Sequence, residues 1–147
     1  FNDRLELEYR RWVRSQNNLR VVLFDVDRFK MINDSYGYSA GDKALKIIAR
    51  NINKCAAKTE TVARFSGEEF ILLIPEQTEE YTLDLIKKIQ HNISQLPFKF
   101  REQNIVITLT AVSTSFKEAD SPALVIDRLG QMLNDAKSRG KNQLSWS

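Results

Sequence analysis

Along residues 19–26, "LRVVLFDV", apolar and β-branched side chains run almost unbroken, which predicts a strand covered on both faces. Elsewhere the spacing lengthens to that of a helix. From Asp42 to Ala57, Leu45, Ile48, Ile52 and Cys55 recur on one face; over 78–96, Leu85, Ile86, Ile89, Ile93 and Leu96 do. Residues 3–17 carry Leu5, Leu7, Tyr9 and Trp12 among many charges, an imperfect stripe that still reads as helix. "ETVARF" and "EEFILLIP" flank Ser66-Gly67, the spacing of a β-hairpin with a two-residue turn. "NIVITLTAV" (104–112) predicts a further strand. Ser121 as cap and Pro122 behind it open a helix, with Val125, Leu129, Met132, Leu133 and Ala136 inward and Gly140 at its stop. "NQLSWS" reads as a short final strand. Residues 27–41 are turn-rich, with room for at most one short helix.

The order is helix, strand, helix, hairpin, helix, strand, helix, strand. A hairpin in the middle excludes an all-parallel sheet, so the expected fold is α+β, a mainly antiparallel sheet covered by helices. At 147 residues, 42% hydrophobic and 28% charged, the chain is expected to be one soluble globular unit. A net charge of +3, from 22 basic and 19 acidic residues, is too balanced to argue a nucleic-acid partner. No apolar stretch is long enough to span a bilayer and no signal peptide is present, so no membrane contact by this domain is expected. A single cysteine, Cys55, fits a reducing compartment and a cytoplasmic location, a parent protein being free to carry an anchor elsewhere. The chain opens in helix without a cap, which reads as excision from something longer.

The chemistry gathers in two acidic pairs, each beside an apolar strand: Asp25 and Asp27 in "FDVDRF", and Glu68 and Glu69 in "ARFSGEEFILLIP". Glutamate is depleted in strands and almost never fully buried without a partner. Alternation along a strand makes Glu68 and Glu69 point opposite ways, so only one shares a face with a given neighbour. With the first strand beside the hairpin, Asp25 and one glutamate converge at the sheet's edge. Two such carboxylates repel unless one is protonated or a cation lies between them, and all-oxygen ligands select a hard cation such as Mg²⁺. Taken singly, each acidic pair usually reads as solvated charge, and it is their joint appearance beside apolar strands that raises the metal reading. Asp42 reads equally as a helix N-cap, Asn33-Asp34 as a turn, and Lys137 and Lys141 as partners of a helix C-terminus.

Over essentially the whole chain, "FDVDRFKMINDSYGYSAGD" (24–42), "ARFSGEEF" (63–70) and "DAKSRGKNQ" (135–143) resemble the GGDEF domain family of diguanylate cyclases. The resemblance implies a palm-like fold, similar to class III nucleotide cyclases, with a central, mostly antiparallel five-stranded sheet flanked by helices. It implies a single GGDEF domain over residues 1–147, the C-terminal part of a longer signalling protein. It also implies a reaction: a homodimer condenses two GTP into cyclic di-GMP with release of two pyrophosphates, using Mg²⁺ or Mn²⁺. By the same resemblance Asp25, Glu68 and the carbonyl of Val26 hold the metal, and Glu69 stands at the catalytic edge as second-metal ligand or base, beside Glu68. Asn33 and Asp42 meet guanine, whose adjacent N1–H and N2–H₂ donors suit a carboxylate and leave adenine unpaired. Backbone N–H groups from Asp27 to Phe29 cradle the triphosphate, with Arg28, Lys30, Lys137 and Lys141 adding charge. Tyr38, Ser66 and Gly67 complete the substrate-facing set.

The sequence departs from the family pattern at several places. Ser66 replaces the first glycine of the signature, Tyr38 a usual histidine, Lys141 a usual arginine, and Val112 stands near a usual glycine. The R-x-x-D product-inhibition motif is "AKTE" here, Ala57 to Glu60, so that inhibitory site is expected to be absent. Set against the enzyme is a degenerate module that binds GTP or a partner and regulates an attached domain without catalysis. Asp25, Asn33, Asp42, Glu68 and Glu69, all retained, favour the enzyme. Residues 3–17 are too short and irregular for a convincing coiled coil, so pairing is expected to come from a region N-terminal to this chain.

Overall fold

Eight consecutive positions of the first apolar run are buried, and that run becomes the middle strand of the sheet. The computed structural model describes residues 2–147; Phe1 lies outside the described residues. In chain order the elements are α1 (Asn2–Ser15), β1 (Leu19–Val26), α2 (Phe29–Tyr36), α3 (Tyr38–Cys55), β2 (Thr61–Ser66) and β3 (Glu69–Pro75). There follow α4 (Glu79–Ser94), β4 (Phe98–Phe100), β5 (Gln103–Ile105), β6 (Leu109–Ser115), α5 (Pro122–Ser138) and β7 (Leu144–Trp146).

The main sheet has five strands in the order β2-β3-β1-β6-β7, antiparallel except for the β6–β7 pair. Alternation divides its side chains between two cores. Val22, Phe24, Phe70 and Leu72 pack with Leu45, Ile48, Ile86 and Ile89 of α3 and α4. Val21, Leu23, Ile71 and Leu73 pack with Leu5 and Trp12 of α1 and Leu129 and Leu133 of α5. Burying a side chain of this size contributes roughly 1.5–3 kcal/mol. A strand lined by such residues on both faces is therefore the least movable part of the molecule.

Several boundaries differ from the sequence reading. Residues 27–41 hold α2 and the first turn of α3, not at most one short helix. The two helices share Gly37, whose φ of 90° ends α2 and whose position caps α3. Asp42 is consequently inside α3 and is not its N-cap. The hairpin turn is Gly67-Glu68, one residue beyond Ser66-Gly67, because Ser66 pairs with Glu69 after an irregularity between Arg64 and Ser66. The expected strand at 104–112 is broken at 106–108 and its second half runs on to Ser115. Its first half pairs instead with β4 in a separate two-stranded sheet. Asp25 lies at the end of a central strand rather than at a lateral edge of the sheet. The helix starts at Thr78 and Ser121 are as expected: Thr78 accepts from the Tyr81 amide and Ser121 from the Leu124 amide.

Candidate active site

The end of β1 delivers Asp25 opposite Glu69 on β3 and Thr110 on β6. Its carboxylate is 4% exposed as a residue, and a charge so deep requires a partner. Among the described residues the partner is Lys137, from the last turn of α5, whose ammonium reaches Oδ1. The Asp25 carboxyl is pushed up to about 6, chiefly by burial. Lys137 opposes the rise by hydrogen bonding and charge, and the charges of Glu68 and Glu69 add to it. Both glutamates thus act on Asp25, not one alone. Glu68 sits in the turn, where strand alternation does not apply, and its carbonyl accepts from the Val26 amide at 3.1 Å. Arg64 holds this turn, its guanidinium donating to the Gly67 carbonyl at 2.6 and 3.1 Å. The Ser66 hydroxyl donates to Glu69 Oε1.

This donor set fits a divalent cation of the Mg²⁺ class. It is all oxygen, and it gathers more negative charge than one lysine offsets.

Around this ledge the remaining residues fall into two groups. Asn33, on α2, lies against α3 where Gly41 has no side chain: a Cβ there would come within 1.8 Å of Asn33 Oδ1. That oxygen is buried without a hydrogen-bond partner, an acceptor held ready for a donor. Asp42, one residue further along α3, is exposed and lines a groove of about 320 Å³ with Lys46, Arg64 and Phe70. Arg28 takes a left-handed φ of 54° at the start of α2. Phe29 is buried, so only its backbone faces outward chemistry, while Lys30 is exposed. The Asp27 amide donates to the Thr108 carbonyl at 3.0 Å, which removes it from any anion cradle. Lys141 is exposed, and Tyr38, at the start of α3, is 79% exposed.

In the "AKTE" segment, Glu60 turns inward. Its Oε1 accepts from the Ala57 amide at 2.8 Å and its Oε2 from the Tyr81 hydroxyl at 2.6 Å, an interaction that pushes the Tyr81 phenol up to about 12. The sequence reading missed Thr108, Thr110 and the Asn142 amide, all of which meet Asp27. Their only signal was the second aspartate of the D-x-D itself. No helix among the described residues is long and apolar enough to cross a membrane.

The family model described as "Diguanylate cyclase, GGDEF domain" matches residues 1–143. Diguanylate cyclase DgcP of Pseudomonas aeruginosa is 37% identical over 143 residues, 97% of this chain and 21% of that protein. Diguanylate cyclase A of Treponema denticola is 27% identical over 90% of this chain and 36% of its own. The chain thus spans about a fifth to a third of the length of these curated relatives. Among solved structures, the GGDEF domain of DgcB from Caulobacter crescentus in complex with c-di-GMP superposes with a TM-score of 0.94. It is 25% identical over 99% of this chain and 87% of that one. The active GGEEF domain of a diguanylate cyclase from Vibrio cholerae gives a TM-score of 0.86 at 30% identity, over 95% of this chain and 89% of its own.

Proposed function

From the chain's membership of the GGDEF domain family of diguanylate cyclases, we propose that it condenses two GTP into cyclic di-GMP with release of two pyrophosphates, as a homodimer in the cytoplasm. We read residues 1–147 as one GGDEF domain. The observation that carries the catalytic reading is that the end of β1, with Asp25 buried, is paired with Glu69 and hydrogen-bonded to the turn residue Glu68. The relative from Vibrio cholerae described as active has glutamate at the third position of its signature, as "SGEEF" does here.

Asp25, Glu68 and the Val26 carbonyl would hold Mg²⁺ or Mn²⁺. Bound there, the cation lowers the pKa of the attacking 3′-hydroxyl and neutralises charge on the α-phosphate. The protein's own residues do the rest. Asn33 Oδ1, buried and lacking a donor, meets guanine, and Asp42 accepts from its N1–H and N2–H₂ edge. The Phe29 and Lys30 amides at the start of α2 face phosphate oxygens, with Arg28, Lys30 and Lys141 supplying charge. Lys137 pairs with Asp25 in the free protein and would be available to a substrate phosphate if a cation took its place at that carboxylate. Glu69, steadied by Ser66, stands where the hydroxyl proton leaves. Gly67 lets the turn pass close to substrate, and Tyr38 borders the nucleotide from α3.

The test is incubation of protein at a concentration that pairs it, with GTP and Mg²⁺, followed by chromatography. Cyclic di-GMP is the expected product, and Glu68→Gln is expected to abolish it while the fold remains. GTP binding without product would establish the non-catalytic module instead. Product formed unchanged by Glu68→Gln would remove that residue from the mechanism.

A further inference from the structure

We propose that Asp27 is a positioning residue, which fixes the segment carrying Lys137 and Lys141 against the end of β1 and so sets affinity for the triphosphate without touching metal or substrate. This deepens the function proposed above and rests on it. Two residues beyond Asp25, Asp27 is 7% exposed, and both of its carboxylate oxygens accept hydrogen bonds. Thr108 Oγ1 donates to Oδ2 at 2.6 Å, Thr110 Oγ1 to Oδ1 at 2.7 Å and the Asn142 amide to Oδ2 at 2.7 Å. Hydrogen bonds to an ionised acceptor are about twice as strong as neutral ones. The two aspartates of the D-x-D therefore divide their work. Asp25 meets a lysine, whereas Asp27 is held by three donors from β6, the segment before it and the turn after α5.

The donor from Asn142 matters most, because it lies 115 residues away along the chain and follows Lys141 directly. Asn142 has a φ of 55° and Gly140 a φ of 130°, so the backbone leaves α5 through two left-handed residues. Such a turn holds its course only where its surroundings determine it. Here Asp27 pins the Asn142 amide, and the next carbonyl, that of Gln143, accepts from the Ala111 amide at 2.8 Å and from Gln90 Nε2 at 2.9 Å. Releasing the first pin loosens the turn that follows α5 and carries Lys141, and with it the support at the helix end beside Lys137, while the second still holds β7 to the sheet.

Calorimetric titration of the whole chain with GTP, and separately with Mn²⁺ alone, tests this. Asp27→Asn, which replaces one acceptor oxygen by a donor, is expected to weaken GTP binding by about tenfold or more and to leave Mn²⁺ binding within about two-fold. Asn142→Val keeps the amide but disfavours positive φ at an exposed site, so it folds even where Asp27→Asn does not, and it is expected to show the same split. Asn142→Gly, which accepts the turn, is expected to bind GTP like wild type. Wild-type GTP affinity in both Asp27→Asn and Asn142→Val would overturn positioning by Asp27. So would joint loss of Mn²⁺ binding in Asp27→Asn, which would make it a ligand. A wild-type chain that binds no GTP would overturn the proposed function, and this inference with it.

Discussion

Ser66 and Gly67 both avoid the left-handed region of φ, and a Cβ on Gly67 would meet nothing within 4 Å. The hairpin turn therefore does not need glycine's freedom, and serine in the first signature position is no strain on the backbone. What the serine adds is its hydroxyl, which donates to Glu69. Ser66→Ala and Ser66→Gly both remove that bond, so both are expected to reduce turnover alike, with stability moving by less than about 0.5 kcal/mol at this exposed position. Steady-state rates beside thermal melts check this; a gain in Ser66→Gly against a loss in Ser66→Ala would return the matter to backbone freedom. At this scale much of the site was legible. Asp25 stood out only together with Glu68 and Glu69, because two acidic pairs each flanked an apolar strand, while either pair alone reads as solvated charge. The placement of Glu68 was not legible, since alternation holds along a strand and Glu68 is in the turn. The inward commitment of Glu60 was hidden for a similar reason: the length of a glutamate gives no hint of a tyrosine from the next helix.

Helices α2 and α3 meet at Gly41, where a side chain would displace Asn33. On helix propensity alone Gly41→Ala gains up to about 1 kcal/mol. The displaced atom is the end of a side chain, so stability is expected to change little while GTP affinity, and preference for guanine over adenine, fall. Titration with GTP and ATP analogues against thermal melts separates the two; unchanged discrimination would detach Asn33 from base recognition. A second element contact gives a pH dependence. Arg128 of α5 donates to both oxygens of Asp120, at 3.1 and 2.7 Å, and to Thr114 Oγ1 and the Ser115 carbonyl, tying α5 to the end of β6. Its guanidinium, chiefly by hydrogen bonding, holds the Asp120 carboxyl below its ordinary 3.8. A depressed acid contributes stability above its unfolded value and loses it as pH falls through the folded one. Asp120→Asn is therefore expected to melt lower than wild type at pH 7, with the gap closing on the acid side of 3.8. Equal gaps at pH 7 and in strong acid would exclude the ion pair as the cause. Element type was legible wherever periodicity was long, as in α4 and α5. It failed over 27–41 because Asn33, Asp34, Ser35 and Gly37 all suit turns, yet one shared glycine lets two helices abut. It failed again after Phe98, where three-residue strands are too short to show alternation.

For the molecule as a whole, a mainly antiparallel sheet with a doubly covered first strand was legible in the apolar pattern, whereas the place of β1 between β3 and β6 was not. The parallel attachment of β7 did not show, because three half-buried residues carry no directional signal. Under the proposed function each site would take one nucleotide, so the hydroxyl and the phosphate it attacks would come from two copies brought together by a two-fold axis. At 14 residues α1 is two heptads long and too short to zip a pair on its own. Activity per mole is accordingly expected to rise with protein concentration and to rise strongly on fusion to a coiled coil. A flat profile from nanomolar to micromolar in a chain shown to be monomeric would rule out catalysis across a pair. The central position of β1 has a further consequence, for how the chain reaches this state. Leu19 pairs with Pro75 and Arg20 with Ser115, so both neighbours of the middle strand are distant in sequence. Loop closure must precede any return from those contacts, which makes the sheet slow to assemble. Until β6 arrives, one side of "LRVVLFDV" remains an unpaired apolar edge, open to another chain passing through the same stage. Refolding yield is then a matter of crowding, set by how many unfinished copies meet before each has closed its own sheet.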